Sequence, residues 1–352
     1  MGRFVAASAA SVSANLSRLG AFVLLASLWG MGTTASAAAY NFTLLPPLPN
    51  STESSGVAVN DRGQVVGWSG SGDAAPLRAT RWDGAVPVAL TGLDWRDNST
   101  ALDISNAAQV VGYSDNRATL WNGGVPTELG TLGGSYSVAT AISRAGQVVG
   151  YSTLPGDNAN HTHATLWNGL TAIDLGTLGG TFSSANGINS AGQIVGHSVL
   201  AGNMGGVHAV LWNGGTATDL GLGYALKIND RSQVVGQSSE DLASDSHATL
   251  WSGGHRIDLG TLGGSSSVAT DINNAGQIVG ASLLADNLIS HAIIWRGRVA
   301  TDLNTVLDAA TRDAGWYLSD AAAINAHGWI TGTAFNTLTN ERRAYLLRPA
   351  RH

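Results

Sequence analysis

The chain has 352 residues, no cysteine, a net charge of −6 and only 12% charged residues. So acidic and sparsely charged a surface argues against nucleic acid and anionic membranes, which both select a basic face. With no cysteine there is no disulfide framework, and a chain of this size can draw its stability from an extended core instead.

In chain order the first segment differs from everything after it. Arg3 and Arg18 precede the apolar run LGAFVLLASLWGMG, and Ala-Ser-Ala follows at 35–37. A basic start, an apolar middle and a small-residue cleavage site read as a secretory signal peptide over residues 1–38. The run is short for a membrane span, and no Arg-Arg pair or lipobox cysteine accompanies it. The mature chain is therefore expected to be secreted, extracellular or periplasmic, without membrane insertion. Removing Arg3 and Arg18 takes its net charge from −6 to −8.

From residue 40 onward the chain repeats. A V/I-x-G core recurs with its glycine at Gly67, Gly112, Gly150, Gly196, Gly236, Gly280 and Gly332. A bulky residue follows each, at Trp82, Trp121, Trp167, Trp212, Trp251, Trp295 and Leu347. Seven copies at this period suit propeller blades. Each copy reads as four short strands with alternating apolar positions: SVATAIS, GQVVGYS, HATLW and TAIDLGTL in the copy that starts at Ser137. The patterning after residue 40 is that of strands throughout, with no helical period.

Two spacings are constant. Eight residues separate the end of the first strand from the repeat glycine (Ile142 to Gly150, Ile272 to Gly280), and eight separate each Trp from the leucine of the fourth strand (Trp167 to Leu175). A fixed count across a turn means a hairpin of fixed register. Asn-x-x-Gly (Asn60–Gly63, Asn273–Gly276) predicts the first turn, and Asn-Gly (Asn122-Gly123, Asn168-Gly169, Asn213-Gly214) the second. The other two connections vary, from Leu220 to Ile228 at the short end to Leu303 to Ile324 at the long end. In an up-and-down meander the constant turns lie at one end of the sheet and the variable loops at the other, where ligands are usually met.

The last copy lacks a fourth strand, and NFTLLPPLP (41–49) stands unmatched ahead of the first copy. In the DLGTLGG register, Leu45 and Leu48 of that segment fall where Leu175 and Leu178 fall. An unmatched strand at one terminus and a gap at the other predict ring closure, which also shields sheet edges. The expected fold is all-β: a single-domain, seven-bladed β-propeller over residues 40–349 with four-stranded blades, closed by the N-terminal strand pairing with the last blade.

The motifs A-x-x-I-N-x-x-G-Q-[VI]-V-G-x-S, H-A-x-x-W and D-L-G-T-L-G-G are clearest in SVATDINNAGQIVGASLLADNLISHAIIW (267–295) and HATLWSGGHRIDLGTLGG (247–264). They resemble the HAF-repeat extracellular proteins of bacteria, over residues 40–349. The resemblance implies secretion and a repeat fold and brings no activity with it. Many such proteins are thought to end in a sorting tail, whereas this sequence closes on RPARH.

Four residues before each bulky position stands a nitrogen donor: Arg78, Arg117, His163, His208, His247, His291 and Arg343. Arginine does not ligate metals, so a structural role is expected, with each donor bonding the serine after the repeat glycine (Ser152, Ser198, Ser238, Ser282). The repeat tryptophans are expected in the core. Asp157, Asn158, Asn160 and His161 form an oxygen-rich loop without the spacing of an EF-hand, so neither a metal nor another cofactor is expected.

Two tryptophans break the repeat, both in fourth-to-first connections on the variable-loop face. Trp95 lies with Asp94, Arg96 and Asp97, and Trp316 with Arg312, Asp313 and Tyr317. Aromatics beside acids and arginines suit stacking on a sugar or anchoring on a protein; the alternative is that each ring fills a gap in its own loop. No G-x-S-x-G, H-E-x-x-H or phosphate-loop motif is present. The expected function is a secreted, monomeric, non-enzymatic binding or structural scaffold whose variable-loop face engages a glycan or another exported protein. The alternative is a propeller glycan hydrolase or lyase that uses loop carboxylates such as Asp94 with Asp97, or Asp313 with Asp97.

Overall fold

The β-branched and small residues of each copy form antiparallel strands. A computed structural model describes residues 40–350 apart from 73–75, 95–97, 157–160, 204 and 243. Residues 1–38, where a signal peptide is expected, lie outside the described residues. The described residues fall in one compact unit.

Five sheets have four strands each. The first contains Glu53–Val59, Gln64–Gly70, Arg78–Asp83 and Val86–Ala89, and the third contains Ser137–Ile142, Val148–Thr153, Thr162–Asn168 and Thr171–Asp174. A sixth sheet has seven strands, because Thr216–Ile228 serves two copies. Its first half pairs with Val207–Asn213 and its second half with Val234–Ser238. Leu220 to Ile228 is the shortest of the variable connections, so the chain runs straight through where other copies place a loop.

The N-terminal strand Tyr40–Leu45 pairs antiparallel with Arg342–Pro349, in the register Asn41 to Arg348 and Leu45 to Ala344. It is the fourth strand of the sheet that holds Ile330–Asn336 and Trp316–Ile324. The unmatched segment thus lies in the gap left by the last copy. The longest connection, from Leu303 to Ile324, contains a short helix, Ala309–Asp313, which the strand patterning did not predict. Asp308 caps it by accepting from the Thr311 amide.

The repeat glycine has a clear steric cause. Every first strand carries a β-bulge opposite it, as between Ala139 and Ala141 or between Ala269 and Asp271. The bulge turns a carbonyl onto the glycine. A Cβ on Gly150 would meet the Val138 oxygen, and one on Gly280 the Val268 oxygen, far inside the 3.0 Å that real Cβ atoms keep. The first turn is as expected: Gly63 has φ 77° and its amide bonds the Asn60 carbonyl at 3.0 Å. The second turn is shifted by one residue from the Asn-Gly expectation. Asn122 pairs with Val125, so the loop residues are Gly123 and Gly124, both with positive φ, while the asparagine ends the strand.

Hydrophobic cores lie between sheets. Ala58, Val66, Ala79 and Leu90 of the first sheet pack against Ala101, Ile104, Val110 and Trp121 of the second. Val111, Ala118 and Leu129 pack against Ala139, Ile142, Val148 and Trp167. The same contact joins the last sheet to the first: Leu45, Ala323, Ala344 and Leu346 surround Val59, Val65 and Trp82. Each buried indole contributes on the order of 4 kcal/mol at ~25 cal/mol/Å². Several also reach back to the preceding sheet: Trp82 Nε1 donates to the Pro46 carbonyl (2.7 Å), and Trp121 Nε1 to that of Thr91 (2.7 Å).

A second set of links runs through the turn asparagines. Asn189 Nδ2 donates to the Asn229 carbonyl (3.1 Å), Asn229 to Asn273 (3.2 Å), and Asn273 to Asn325 (3.0 Å). Asn325 donates to Asn60 (2.9 Å), and Asn60 to the Ser105 carbonyl (3.2 Å). Asn325 and Asn60 come from opposite ends of the repeat array.

Candidate functional site

The residue after each repeat glycine is half-buried: Trp68, Tyr113, Tyr151, His197, Gln237, Ala281 and Thr333. Large rings occupy this position only in the first four copies. Between the third and fourth copies two of them line a cavity of about 510 Å³. It lies at the variable-loop end. Tyr136 stands just ahead of Ser137–Ile142, Tyr151 and Thr153 end the second strand, and Thr162 begins the third. Phe182, Ser184 and Asn186 come from the strand Gly179–Ile188, and His197 from Ile194–Leu200.

The walls are aromatic. Tyr136 and Tyr151 lie 5.9 Å apart between ring centroids, Phe182 and His197 5.4 Å, and His197 and Tyr224 4.9 Å. Backbone contacts fix the first pair, since Thr153 Oγ1 accepts from the Tyr136 amide (3.1 Å) and donates to its carbonyl (3.2 Å). The Tyr136 and Tyr151 hydroxyls are 3.4 Å apart. Asn186 Nδ2 lies 3.1 Å from His197 Nδ1 and donates to the Ala225 carbonyl (2.9 Å). With the amide as donor, Nδ1 accepts and the imidazole proton resides on Nε2, a tautomer assigned from the network.

The described lining carries no formal charge at neutral pH. None of its residues is Asp, Glu, Lys or Arg. Burial pushes His197 down to about 4, so it is uncharged at neutral pH. Burial, with the Tyr136 hydrogen bond, pushes the Tyr151 phenol up. Thr162 is only 4% exposed, and its Oγ1 has no hydrogen-bond partner among the described residues. Buried hydroxyls are nearly always paired, so this one is an acceptor and donor in waiting at the cavity wall.

Of the residues singled out from sequence, Trp95, Arg96 and Asp97 lie outside the described residues, as do Asp157, Asn158 and Asn160. Asp94 contacts Arg117 at 3.2 Å, and Arg117 also reaches Glu128 at 3.2 Å. Arg312 and Asp313 lie in the short helix, with Arg312 Nη1 donating to the Leu307 carbonyl. Trp316 is half-buried against the core that contains Leu303, Leu307 and Leu318. Tyr317 packs between His291 (5.6 Å) and Phe335 (5.7 Å).

The histidines bond differently from expectation. His163, His208, His247 and His291 each hold an aspartate of the fourth strand, Asp174, Asp219, Asp258 and Asp302, at 2.8–2.9 Å. Register explains this. Thr165 pairs with Asp174, and His163 lies two residues away on the same face, so the two side chains meet diagonally. Three of the serines serve the backbone instead: Ser152 Oγ accepts from the Leu132 amide (2.9 Å), Ser198 Oγ from that of Leu178 (2.9 Å) and Ser282 Oγ from that of Leu262 (2.8 Å), while Ser238 Oγ bonds the Thr249 hydroxyl (2.7 Å).

Near the tight-turn end, Lys227 Nζ lies 3.5 Å from Asp103. Burial pushes the Lys227 amine down, but Asp103 and Asp271 outweigh it and hold the amine above its ordinary value. Asp103 and Asp271 also span copies, accepting from the amides of Ile142 (3.0 Å) and Ile324 (2.8 Å). Sequence reading passed over these three residues because their position is Ala or Gly in the other copies.

The sequence matches no protein-family model and no curated protein. Solved structures do resemble it. The β-propeller domain of the trilobed protease from Pyrococcus furiosus, 8% identical, superposes with a TM-score of 0.57 over 85% of this chain and 93% of that one. The fold is that of a β-propeller. The extracellular domain of a hybrid two-component system from B. thetaiotaomicron gives a TM-score of 0.52 at 9% identity, covering 87% of this chain and 39% of that one. A puromycin-hydrolysing peptidase from Mycobacterium tuberculosis gives 0.50 at 10% identity, covering 88% and 53%. At these identities the likeness concerns fold alone. No helix among the described residues is long and apolar enough to cross a membrane.

Proposed function

We propose that the chain is a secreted binding scaffold of the HAF-repeat type: a seven-bladed propeller closed by its N-terminal strand, which engages a glycan on the variable-loop face. Seven copies, the pairing of Tyr40–Leu45 with Arg342–Pro349, and the Asn325-to-Asn60 link support the closed ring. The basic, apolar and small-residue start of the sequence supports export.

The observation that carries the binding role is the cavity between the third and fourth copies. It is concave, aromatic and within the size range of small-ligand sites. The sequence-read patch of Asp94, Trp95, Arg96, Asp97, Arg312, Asp313, Trp316 and Tyr317 is a second candidate surface; Trp95, Arg96 and Asp97 lie outside the described residues, and Trp316 and Tyr317 pack against neighbouring side chains. The test is a glycan array probed with mature protein, its Tyr151→Ala variant and its Trp95→Ala, Trp316→Ala variant. Loss of binding in the first variant supports the cavity as the site. Binding that survives in both folded variants would end the proposal.

A further inference from the structure

We infer that the cavity between the third and fourth copies takes an uncharged hexopyranose unit and excludes acidic sugars; this rests on the glycan-binding reading above. A pyranose presents an apolar C–H face and a rim of hydroxyls. The cavity has the complementary division, with Tyr136, Tyr151, Phe182 and His197 as apolar walls and Ser184, Asn186, Thr153 and Thr162 among them. Aromatic rings accept the C–H face, and hydroxyl and amide groups accept the rim.

Two features narrow the ligand class further. First, none of the described lining residues is a cation. A uronate or sialate carboxylate seated here would lose its hydration without a paired charge, which is far more costly than desolvating a hydroxyl. His197 does not supply one, because burial keeps it neutral. Second, Thr162 lines the cavity, and its buried hydroxyl has no hydrogen-bond partner among the described residues. A group that both donates and accepts at one position matches an alcohol. A purely apolar ligand would leave it unsatisfied.

The experiment is saturation-transfer NMR and array binding with mature wild type, Thr162→Val and Phe182→Ala. The probes are neutral hexosides and N-acetylhexosaminides, their uronate- and sialate-terminated counterparts, and a set of uncharged peptides. Neutral sugars are expected to bind. Phe182→Ala is expected to weaken them at least about tenfold. Thr162→Val keeps the side-chain shape and removes the hydroxyl, so it should weaken binding several-fold while the free protein melts no lower, since the lost hydroxyl had no partner. A Thr162→Val variant that binds normally overturns the inference. So does a preference for acidic sugars or peptides, although if that binding is lost in Phe182→Ala the cavity remains the site. Binding indifferent to Phe182→Ala, or no binding to any probe, overturns both the inference and the reading beneath it.

Discussion

Replacing one repeat glycine with alanine isolates the most repeated steric feature of the fold. In Gly150→Ala the new methyl group meets the Val138 carbonyl, a backbone oxygen held by the bulge of the neighbouring strand. A flexible side chain would swing aside; a paired strand cannot without opening its ladder. Overpacking in a well-packed core costs about 1–3 kcal/mol, and a backbone obstacle belongs at the top of that range. About 3 kcal/mol corresponds to a fall in Tm of roughly 6 °C for a large domain. Gly169→Ala is the control. Gly169 sits in a hairpin turn with φ 61° and open space around it, so alanine there costs only the left-handed conformation, about 1–2 kcal/mol. Calorimetry and urea unfolding of the two variants should rank Gly150→Ala as clearly the less stable. Equal stability, or the reverse order, would refute the steric account of the repeat glycine.

Three further outcomes follow from the charges. His197, held near 4 in the fold against about 6.5 when unfolded, gives stability that is complete above the unfolded value and lost as pH falls towards 4, a total of about 3 kcal/mol. Urea midpoints from pH 7 to 4.5 should therefore fall less steeply in His197→Gln than in wild type. Burial raises the Asp302 carboxyl, but the hydrogen bonds from His291 and Asn304 outweigh it and hold the group below the ordinary range. Its contribution, about 1 kcal/mol in this partly exposed setting, is present above the unfolded carboxylate pKa and lost as pH falls through the folded one, so Asp302→Asn should be less stable than wild type at pH 6 and converge with it in strong acid. Burial holds Asp271 above the ordinary range, with Lys227 pulling the other way. Lys227→Met should cost about 2 kcal/mol at pH 7, discounted because the Lys227 and Asp103 side chains are 26% and 18% exposed. With Asp271 then protonated more readily in the fold than unfolded, that variant should regain stability as pH falls from 7 towards 5.

Much of the fold was legible because each copy states the same pattern again. Alternating apolar positions gave the strands, and the constant spacings around Gly150 and Trp167 gave two hairpins. Leu45 and Leu48, in the register of Leu175 and Leu178, pointed to the strand that pairs with Arg342–Pro349. What stayed hidden was set by three-dimensional register. The bulge beside Ala139 leaves no mark in a string of small residues. The His163 partner, Asp174, was visible as a residue but not as a neighbour, because diagonal contact depends on which residues face each other across the ladder. The turn asparagines read as turn formers, whereas Asn325 and Asn60 also tie distant copies together. The cavity was missed for a similar reason. Tyr136, Tyr151, Phe182 and His197 belong to two copies and look like ordinary strand aromatics in sequence. The one available signal was that large rings follow the repeat glycine only in the first four copies.

The proposed ring closes only where the N-terminal strand lies against the last one. Asn41 and Arg348 face each other in that pairing, and directly opposed residues on antiparallel strands stand about 4.5–5.5 Å apart at Cα, within the range a disulfide spans. The chain has no cysteine, so an Asn41→Cys, Arg348→Cys variant has only this one intramolecular bridge open to it. Peptide mapping and thermal unfolding under oxidising conditions should show an intramolecular disulfide in nearly every molecule, with stability raised by up to about 5 kcal/mol. Thiols that stay free, or bridges that join only separate molecules, would contradict the proposed ring closure.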